Sequence, residues 1–324
     1  AVHRFSPPPR LAPAQRLAWA RKQRAKFSDE EMGDGRWEMS DVEANKQSSA
    51  PTRYAVIGSP ISQSKSPLIH SLFAAQTEQA ITYEAIEVLE EDFERFVGSW
   101  FASGGGGLNV TVPHKERAFA LAEVTTPRAT LARAVNTLSL DSAGRLVGDN
   151  TDGAGLLNDL IDNYDTPIGG KRLLLLGAGG ATRGVLAAIA DLPYKPASIT
   201  VANRTLSRAH LLASDFEGRL EIIAVSYDDL QQHEYDVVIN GTSASLGGEV
   251  PPLVPSLLAP DCCCYDMMYS AEPTLFLRWA KEHGAAKAID GLGMLIGQAA
   301  VAFSVWRGVE PKTAEVILAL RPKA

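Results

Sequence analysis

From Arg53 onward, short apolar runs alternate with glycine, proline and serine breaks, and the runs alternate in length between strand-sized and helix-sized. Tyr54-Ala55-Val56-Ile57 is too short for a helix and stops at Gly58-Ser59-Pro60, so it reads as a buried strand. Pro67 suits the first turn of a helix whose Leu68, Leu72 and Phe73 share a face. The pattern then predicts a strand over 81–88, a helix over 91–101 and a glycine turn over 104–107. Leu108, Val110 and Val112 alternate with Asn109 and Thr111, the mark of a half-buried strand, and Pro113 stops it. A hairpin follows, 135–140 against 145–148 across a turn at 141–144.

A second series begins at Lys171. The run Leu173 to Leu176 flows into a glycine turn and an apolar helix through Ala190. Strands are expected at 197–202, 220–225 and 235–240, then in an apolar stretch ending at Asp266. A long apolar helix opens after Asp290 and reaches Trp306, with Gln298 as its one large polar side chain. Strands alternating with helices place the whole in the α/β class. At 324 residues the chain has room for about two domains.

Composition removes several function classes. Hydrophobic residues make up 45% and charged residues 21%, ordinary values for a globular protein, and the net charge of −7 argues against a nucleic-acid surface. No apolar run approaches the roughly 20 residues of a membrane span, so a cytoplasmic protein is expected. The only cysteines, Cys262, Cys263 and Cys264, are adjacent, which suits neither a disulfide framework nor a metal site; they read as small core residues of a strand. Residues 1–50 are rich in proline and arginine, then acidic, with little periodicity. They read as a disordered, loosely helical or non-native N-terminal extension, with Met39-Ser40 as a candidate true start.

The turn Gly177-Ala178-Gly179-Gly180-Ala181 sits between a buried strand and a helix, where backbone N–H groups and the helix N-terminus hold a dinucleotide pyrophosphate. Thr182 stands where the third glycine of G-x-G-x-x-G belongs. At the end of the next strand, Asn203-Arg204-Thr205-Leu206-Ser207-Arg208 replaces the acid that NAD enzymes present to the ribose, and two guanidiniums there favour a 2′-phosphate. Lys115 by itself would pass for a surface charge. Two more polar, turn-like clusters beside strands, Ser62 to Pro67 and Asp149 to Gly153, make it a candidate proton carrier. Strand ends carrying Thr242, Ser243, Met267 and Tyr269 should face the nicotinamide half of the cofactor.

Six blocks, Ser64-Lys65-Ser66-Pro67, Asn109 to Lys115, Ala134 to Thr137, Gly148 to Gly153, Gly177 to Ala181 and Asn203 to Thr205, together resemble shikimate dehydrogenases. The resemblance implies reversible NADPH-dependent reduction of 3-dehydroshikimate to shikimate in aromatic amino-acid biosynthesis. It also implies a substrate domain over 51–152 completed by 290–324, with a Rossmann-type NADP-binding domain, 153–289, inserted between. Ser64 and Ser66 would take the substrate carboxylate; Thr111, Lys115, Asn136, Asp152, Tyr269 and Gln298 would surround the ring. NADP(H) would rest on Gly177, Ala178, Gly179, Gly180 and Ala181, on 203–208, and on Met267 and Gly291. Lys115 and Asp152 are the implied catalytic pair, no metal is required, and a homodimer is left open. A broader quinate/shikimate dehydrogenase and a non-catalytic NADPH- and shikimate-binding regulatory module are the alternatives. A glutamyl-tRNA reductase is excluded for want of a cysteine nucleophile and a basic surface.

Overall fold

The computed structural model describes residues 50–242 and 250–321, so the expectations for residues 1–49, including a start at Met39, and for Ser243 lie outside them. The first sheet runs in the order β2-β1-β3-β5-β6-β4. Its strands are β1 (Thr52–Gly58), β2 (Ile81–Glu87), β3 (Gly107–Val110), β4 (Val124–Thr125), β5 (Thr137–Leu140) and β6 (Leu146–Asp149). β1 pairs in parallel with both β2 and β3, while β3–β5 and the β5–β6 hairpin are antiparallel.

Helices α1 (Ser66–Gln76), α2 (Phe93–Ala102), α3 (Lys115–Leu121) and α4 (Pro127–Ala132) connect these strands. Val112 is not an inward member of β3. That strand ends at Val110 with all four residues buried, and Val112 lies 68% exposed before α3. The alternation was misleading because β3 is a central strand covered on both faces. In α1 the inward stripe is Ile69, His70 and Phe73, with Leu68 turned outward at 52% exposure.

The second sheet contains β7 (Arg172–Leu176), β8 (Ser198–Ala202), β9 (Ile222–Val225), β10 (Tyr235–Asn240), β11 (Leu258–Asp266) and β12 (Lys287–Ile289). Its order, β12-β11-β10-β7-β8-β9, is all parallel, the doubly wound arrangement whose switch point lies between β7 and β10. Leu173 and Leu175 face one core while Leu174 and Leu176 face the other. The cysteines divide the same way: Cys263 joins the first core and Cys262 and Cys264 the second, all three buried as free thiols. Helices α6 (Gly180–Ala190), α7 (Leu206–Asp215) and α8 (Leu275–Glu282) flank this sheet.

Two helices tie the sheets together: α5 (Asp152–Asn158) leaves the first sheet, and α9 (Leu292–Arg307) returns to it, followed by α10 (Thr313–Leu320). Trp306 of α9 stacks on Tyr54 at 4.8 Å and donates its indole N–H to the Leu138 carbonyl at 3.1 Å. α5 is wedged between α6 and α9 by contacts that only glycine permits. A Cβ on Gly153 would lie 2.2 Å from the Gly184 carbonyl oxygen, and one on Gly155 would lie 2.3 Å from the Gln298 backbone nitrogen. The wedge fixes Asp152, at one end of α5, relative to Gln298.

The hairpin end is anchored by charge. Arg128 on α4 clasps Asp149 with Nε to Oδ1 at 2.7 Å and Nη2 to Oδ2 at 2.5 Å, and the Thr126 hydroxyl donates to Oδ1 at 2.6 Å. Burial opposes ionisation of Asp149, but Arg128, Thr126 and the Asn150 N–H outweigh it and hold the carboxyl below its ordinary value of 3.8.

Two outcomes follow for stability. Gly155→Ala should destabilise the fold by about 1–3 kcal/mol in urea unfolding, the usual cost of overpacking against backbone. Arg128→Met should cost about 3 kcal/mol near pH 7, the low end for a broken buried pair because Arg128 keeps 25% of its side-chain surface. Because the folded pKa of Asp149 is depressed, this stabilisation is complete above 3.8 and disappears as pH falls through the folded value. The gap between wild type and variant should therefore close in acid.

Candidate active site

Each polar residue of the Asp149-to-Gly153 turn has a distinct task. Asp149 is taken by Arg128. Asn150 donates to the Ala134 carbonyl at 3.0 Å, and its Oδ1 accepts the Asp152 N–H at 3.2 Å. Thr151 gives its backbone N–H to Asn136 Oδ1 at 2.9 Å. Asp152, the first residue of α5, is thereby left with its carboxylate at the cavity wall.

Lys115 meets it there. The bend at 111–114 is set by His114, buried, stacked on Phe93 at 4.8 Å and bonded through Nε2 to the Val88 carbonyl at 2.7 Å. Lys115 opens α3 directly after this bend, and its Nζ lies 2.6 Å from Asp152 Oδ2. The two side chains retain 29% and 16% of their surface, enough to be reached by a ligand and too little for free solvation.

Asn136 completes the cluster. Its Nδ2 points to Asp152 Oδ1 at 2.8 Å, Thr151 Oγ1 at 2.9 Å and Gln298 Oε1 at 3.3 Å, while its Oδ1 is held by Thr151 and Thr137. Gln298 also donates from Nε2 to the Leu295 carbonyl at 2.9 Å. Its amide is thus anchored by the protein, and it also lines the cavity.

That cavity, about 310 Å³, is bounded by every residue expected around the ring: Ser64, Ser66, Thr111, Lys115, Asn136, Asp152, Tyr269 and Gln298. Met267 and Gly291, expected at the cofactor, line it as well. Burial raises the Tyr269 phenol above its ordinary value, so its O–H stays a donor at neutral pH. Lys65, Gln63, Ile61 and Leu295 also line the cavity and were assigned no role from sequence. Behind the wall, Tyr83 donates its O–H to Asn109 Oδ1 at 2.7 Å, and Asn109 Nδ2 reaches the Asn136 carbonyl and Thr137 Oγ1, each at 3.2 Å. This support for Asn136 had no signal in the sequence, where Asn109 looked like the outward member of a half-buried strand.

The remaining expected residues gather at the C-terminal ends of β7 and β8. Gly177 has φ +92°, a left-handed conformation that favours glycine, and no atom outside the local backbone lies within 4 Å of where a Cβ would project from Gly179 or Gly180. The backbone at the start of α6 is thus open to close approach, as a pyrophosphate requires. Thr182, in the third-glycine position, is buried; room for it comes from Gly241, where a Cβ would lie 2.7 Å from Thr182 Oγ1. Asn203 Oδ1 accepts the Ala178 N–H at 3.2 Å and its Nδ2 donates to the Thr205 carbonyl at 2.8 Å, which binds the two loops together. Arg204, Thr205, Ser207 and Arg208 are exposed beside them, Leu206 half-buried. These residues fit a dinucleotide bearing a 2′-phosphate.

Comparison with known proteins agrees with this geometry. Family models match as "Shikimate dehydrogenase substrate binding domain" over residues 56–138, "Shikimate / quinate 5-dehydrogenase" over 161–247 and "Shikimate 5'-dehydrogenase C-terminal domain" over 291–321. The Shikimate dehydrogenase (NADP(+)) of Alkalilimnicola ehrlichii is 57% identical over 271 residues, covering 84% of this chain and 99% of that protein. The protein of the same name from Cellvibrio japonicus is 53% identical over 268 residues, 83% of this chain and 96% of that one. Among solved structures, an Ael1 enzyme from Pseudomonas putida superposes with a TM-score of 0.79 at 45% identity, covering 84% of this chain and 99% of that chain. Shikimate 5-dehydrogenase from Thermus thermophilus, in complex with NADP(H) and shikimate, gives 0.71 at 32% identity over 83% and 98%. With its doubly wound nucleotide sheet and its lysine–aspartate cavity, this chain belongs to the shikimate dehydrogenase family.

Proposed function

We propose that this chain catalyses the reversible NADPH-dependent reduction of 3-dehydroshikimate to shikimate, a step of aromatic amino-acid (chorismate) biosynthesis. The observation that carries the reading is the contact of Lys115 with Asp152, inside a cavity lined with the amides of Asn136 and Gln298 and the hydroxyls of Ser64, Ser66 and Thr111. Such a wall matches a small ring bearing hydroxyls and a carboxylate. Relatives named for NADP and shikimate support the same assignment.

Bound NADPH supplies the hydride that reaches the substrate's carbonyl carbon. Negative charge then develops on the oxygen, and Lys115, as an ammonium, stabilises it and delivers the proton. Asp152 keeps the lysine aimed and accepts a ring hydroxyl. Asn136 holds Asp152 through Oδ1, leaving Oδ2 for Lys115. Ser64 and Ser66 receive the carboxylate. In the oxidative direction the neutral lysine takes the hydroxyl proton.

Residues 51–152 with 290–324 form the substrate-binding unit in this reading, and 153–289 the NADP-binding unit, the division falling within the first turn of α5. Gly177 to Ala181 cradle the pyrophosphate, Asn203 to Arg208 the adenosine phosphate, and Met267 and Gly291 the nicotinamide side. A cytoplasmic setting fits three cysteines kept as thiols, and among the described residues no helix is long and apolar enough to cross a membrane. Nucleic acid has no part in the proposal; a homodimer is an assembly for sedimentation analysis to decide.

Turnover followed at the NADPH absorbance band tests the reading. Shikimate oxidation with NADP should exceed both quinate oxidation and turnover with NAD, whereas preferred quinate turnover would favour the broader enzyme and no turnover a regulatory module. Lys115→Ala should lower kcat by roughly 10²–10⁴ with modest change in KM, the usual scale for one acid–base group. Asp152→Asn should damage both kcat and KM, and unchanged kinetics in either variant would remove that residue from the mechanism. Replacing Arg204 and Arg208 together by leucine should raise KM for NADP by about tenfold or more, since charged hydrogen bonds contribute about 1.5–3 kcal/mol each, and leave KM for NAD nearly unchanged.

A further inference from the structure

The cavity's charges do not cancel. Three charged side chains line it: Lys65, Lys115 and Asp152. Lys115 and Asp152 are paired at 2.6 Å, so together they offer an entering ligand no net charge. Lys65 has no carboxylate partner among the described residues, and the rest of the wall is amide, hydroxyl and apolar. A single positive charge is left over, and it sits on Lys65.

The position of that ammonium is informative. Lys65 immediately precedes α1, between Ser64 and Ser66, and is half-buried. Its Nζ lies over the ring of Tyr269, 5.4 Å from the centroid, and Tyr269 follows β11 of the nucleotide-side sheet. The Tyr269 phenol, whose ordinary value of 10.0 is raised further by burial, offers the lysine no counter-charge at neutral pH. A cation–π contact holds an ammonium more weakly than a charge-assisted hydrogen bond to a carboxylate. An anion entering beside Ser64 and Ser66 would therefore draw Lys65 off the ring.

We propose that Lys65 is the charge-selecting residue of the site: its ammonium, placed over the Tyr269 ring, moves onto the substrate carboxylate and makes the cavity prefer the anionic ring acid to a neutral counterpart. The two serines supply hydroxyl geometry that an ester could also satisfy, whereas Lys65 supplies the charge that an ester cannot answer. This inference rests on shikimate being the substrate.

The test compares dissociation constants of shikimate and its neutral methyl ester, by calorimetry, for the wild type, Lys65→Met and Lys65→Arg. Wild-type turnover of shikimate is followed in parallel. Removing one charge-assisted contact should lower the preference for the acid over the ester by about tenfold or more in Lys65→Met, and Lys65→Arg should restore most of it. A purely structural role at the start of α1 would weaken acid and ester alike and leave their ratio unchanged, which would overturn the proposal, as would wild-type preference in Lys65→Met. Failure of the wild type to oxidise shikimate would instead overturn the functional reading itself.

Discussion

The contact between Lys115 and Asp152 is the constraint on which the site depends. An ammonium and a carboxylate brought together from segments 37 residues apart must each give up water, and their attraction offsets that loss only if the geometry is held. Holding it falls to backbone rather than to the pair itself. Lys115 is fixed by the His114 bend on one side, and its carbonyl accepts the Val135 N–H at 2.9 Å on the other. Asp152 is fixed by α5, whose glycines let α6 and α9 approach to backbone contact. The same wedge brings Gln298 to Asn136, so one packing arrangement sets three of the cavity's polar groups at once.

Acidic residues around this centre divide into one that lines the cavity and others that hold structure, and burial with partners tells them apart. Asp149 is saturated by Arg128, Thr126 and backbone, and its low pKa marks an anchor. Asp159 and Asp266 are buried without a cationic clasp of that kind, and desolvation raises both above the ordinary carboxylate value. Asp159 accepts the Tyr265 hydroxyl at 2.7 Å, and that hydroxyl in turn accepts the Met294 N–H at 3.1 Å. Asp266 takes Thr274 at 2.6 Å and the Asn240 amide at 3.2 Å. Only Asp152 lines the cavity, although Asp149 stands in the same six-residue motif.

What could be read from sequence was what local pattern encodes. Runs such as Leu173 to Leu176, and glycine turns such as Gly177 to Gly180, announce a buried strand and a helix start wherever they fall. Four of the motif blocks carry Ser64, Ser66, Thr111, Lys115, Asn136 and Asp152, all of which line the cavity, whereas Tyr269 and Gln298 lie outside every block. What stayed hidden depends on partners distant along the chain. Leu108, Val110 and Val112 alternate with Asn109 and Thr111 as on a half-buried strand, and only the covering of β3 on both faces decides that Asn109 is buried. Thr182 departs from the glycine motif, and the space for its hydroxyl is left by Gly241, 59 residues on. Lys65 lay inside a recognised motif, yet its facing partner, Tyr269, comes from the other sheet.

This division has a consequence for how the two sheets act as one enzyme. Residues from the nucleotide-side sheet, Met267 and Tyr269 after β11 and Gly291 after β12, line the same cavity as Ser64 and Lys115. The chain secures that shared boundary at the start of α9. Tyr265 reaches from β11 to Asp159 and the Met294 N–H, the Gly291 N–H donates to the Met268 carbonyl at 3.0 Å, and a Cβ on Gly293 would lie 2.0 Å from Asp159 Oδ1. Met294 and Gln298 are one helical turn apart on α9 and share a face, so a bond made at the nucleotide-side strand fixes a side chain that touches Asn136. Placing a hydride donor and a proton donor against one carbon–oxygen bond requires that neither sheet drift relative to the other, and these short contacts at the base of α9 tie the two sheets together beside the cavity.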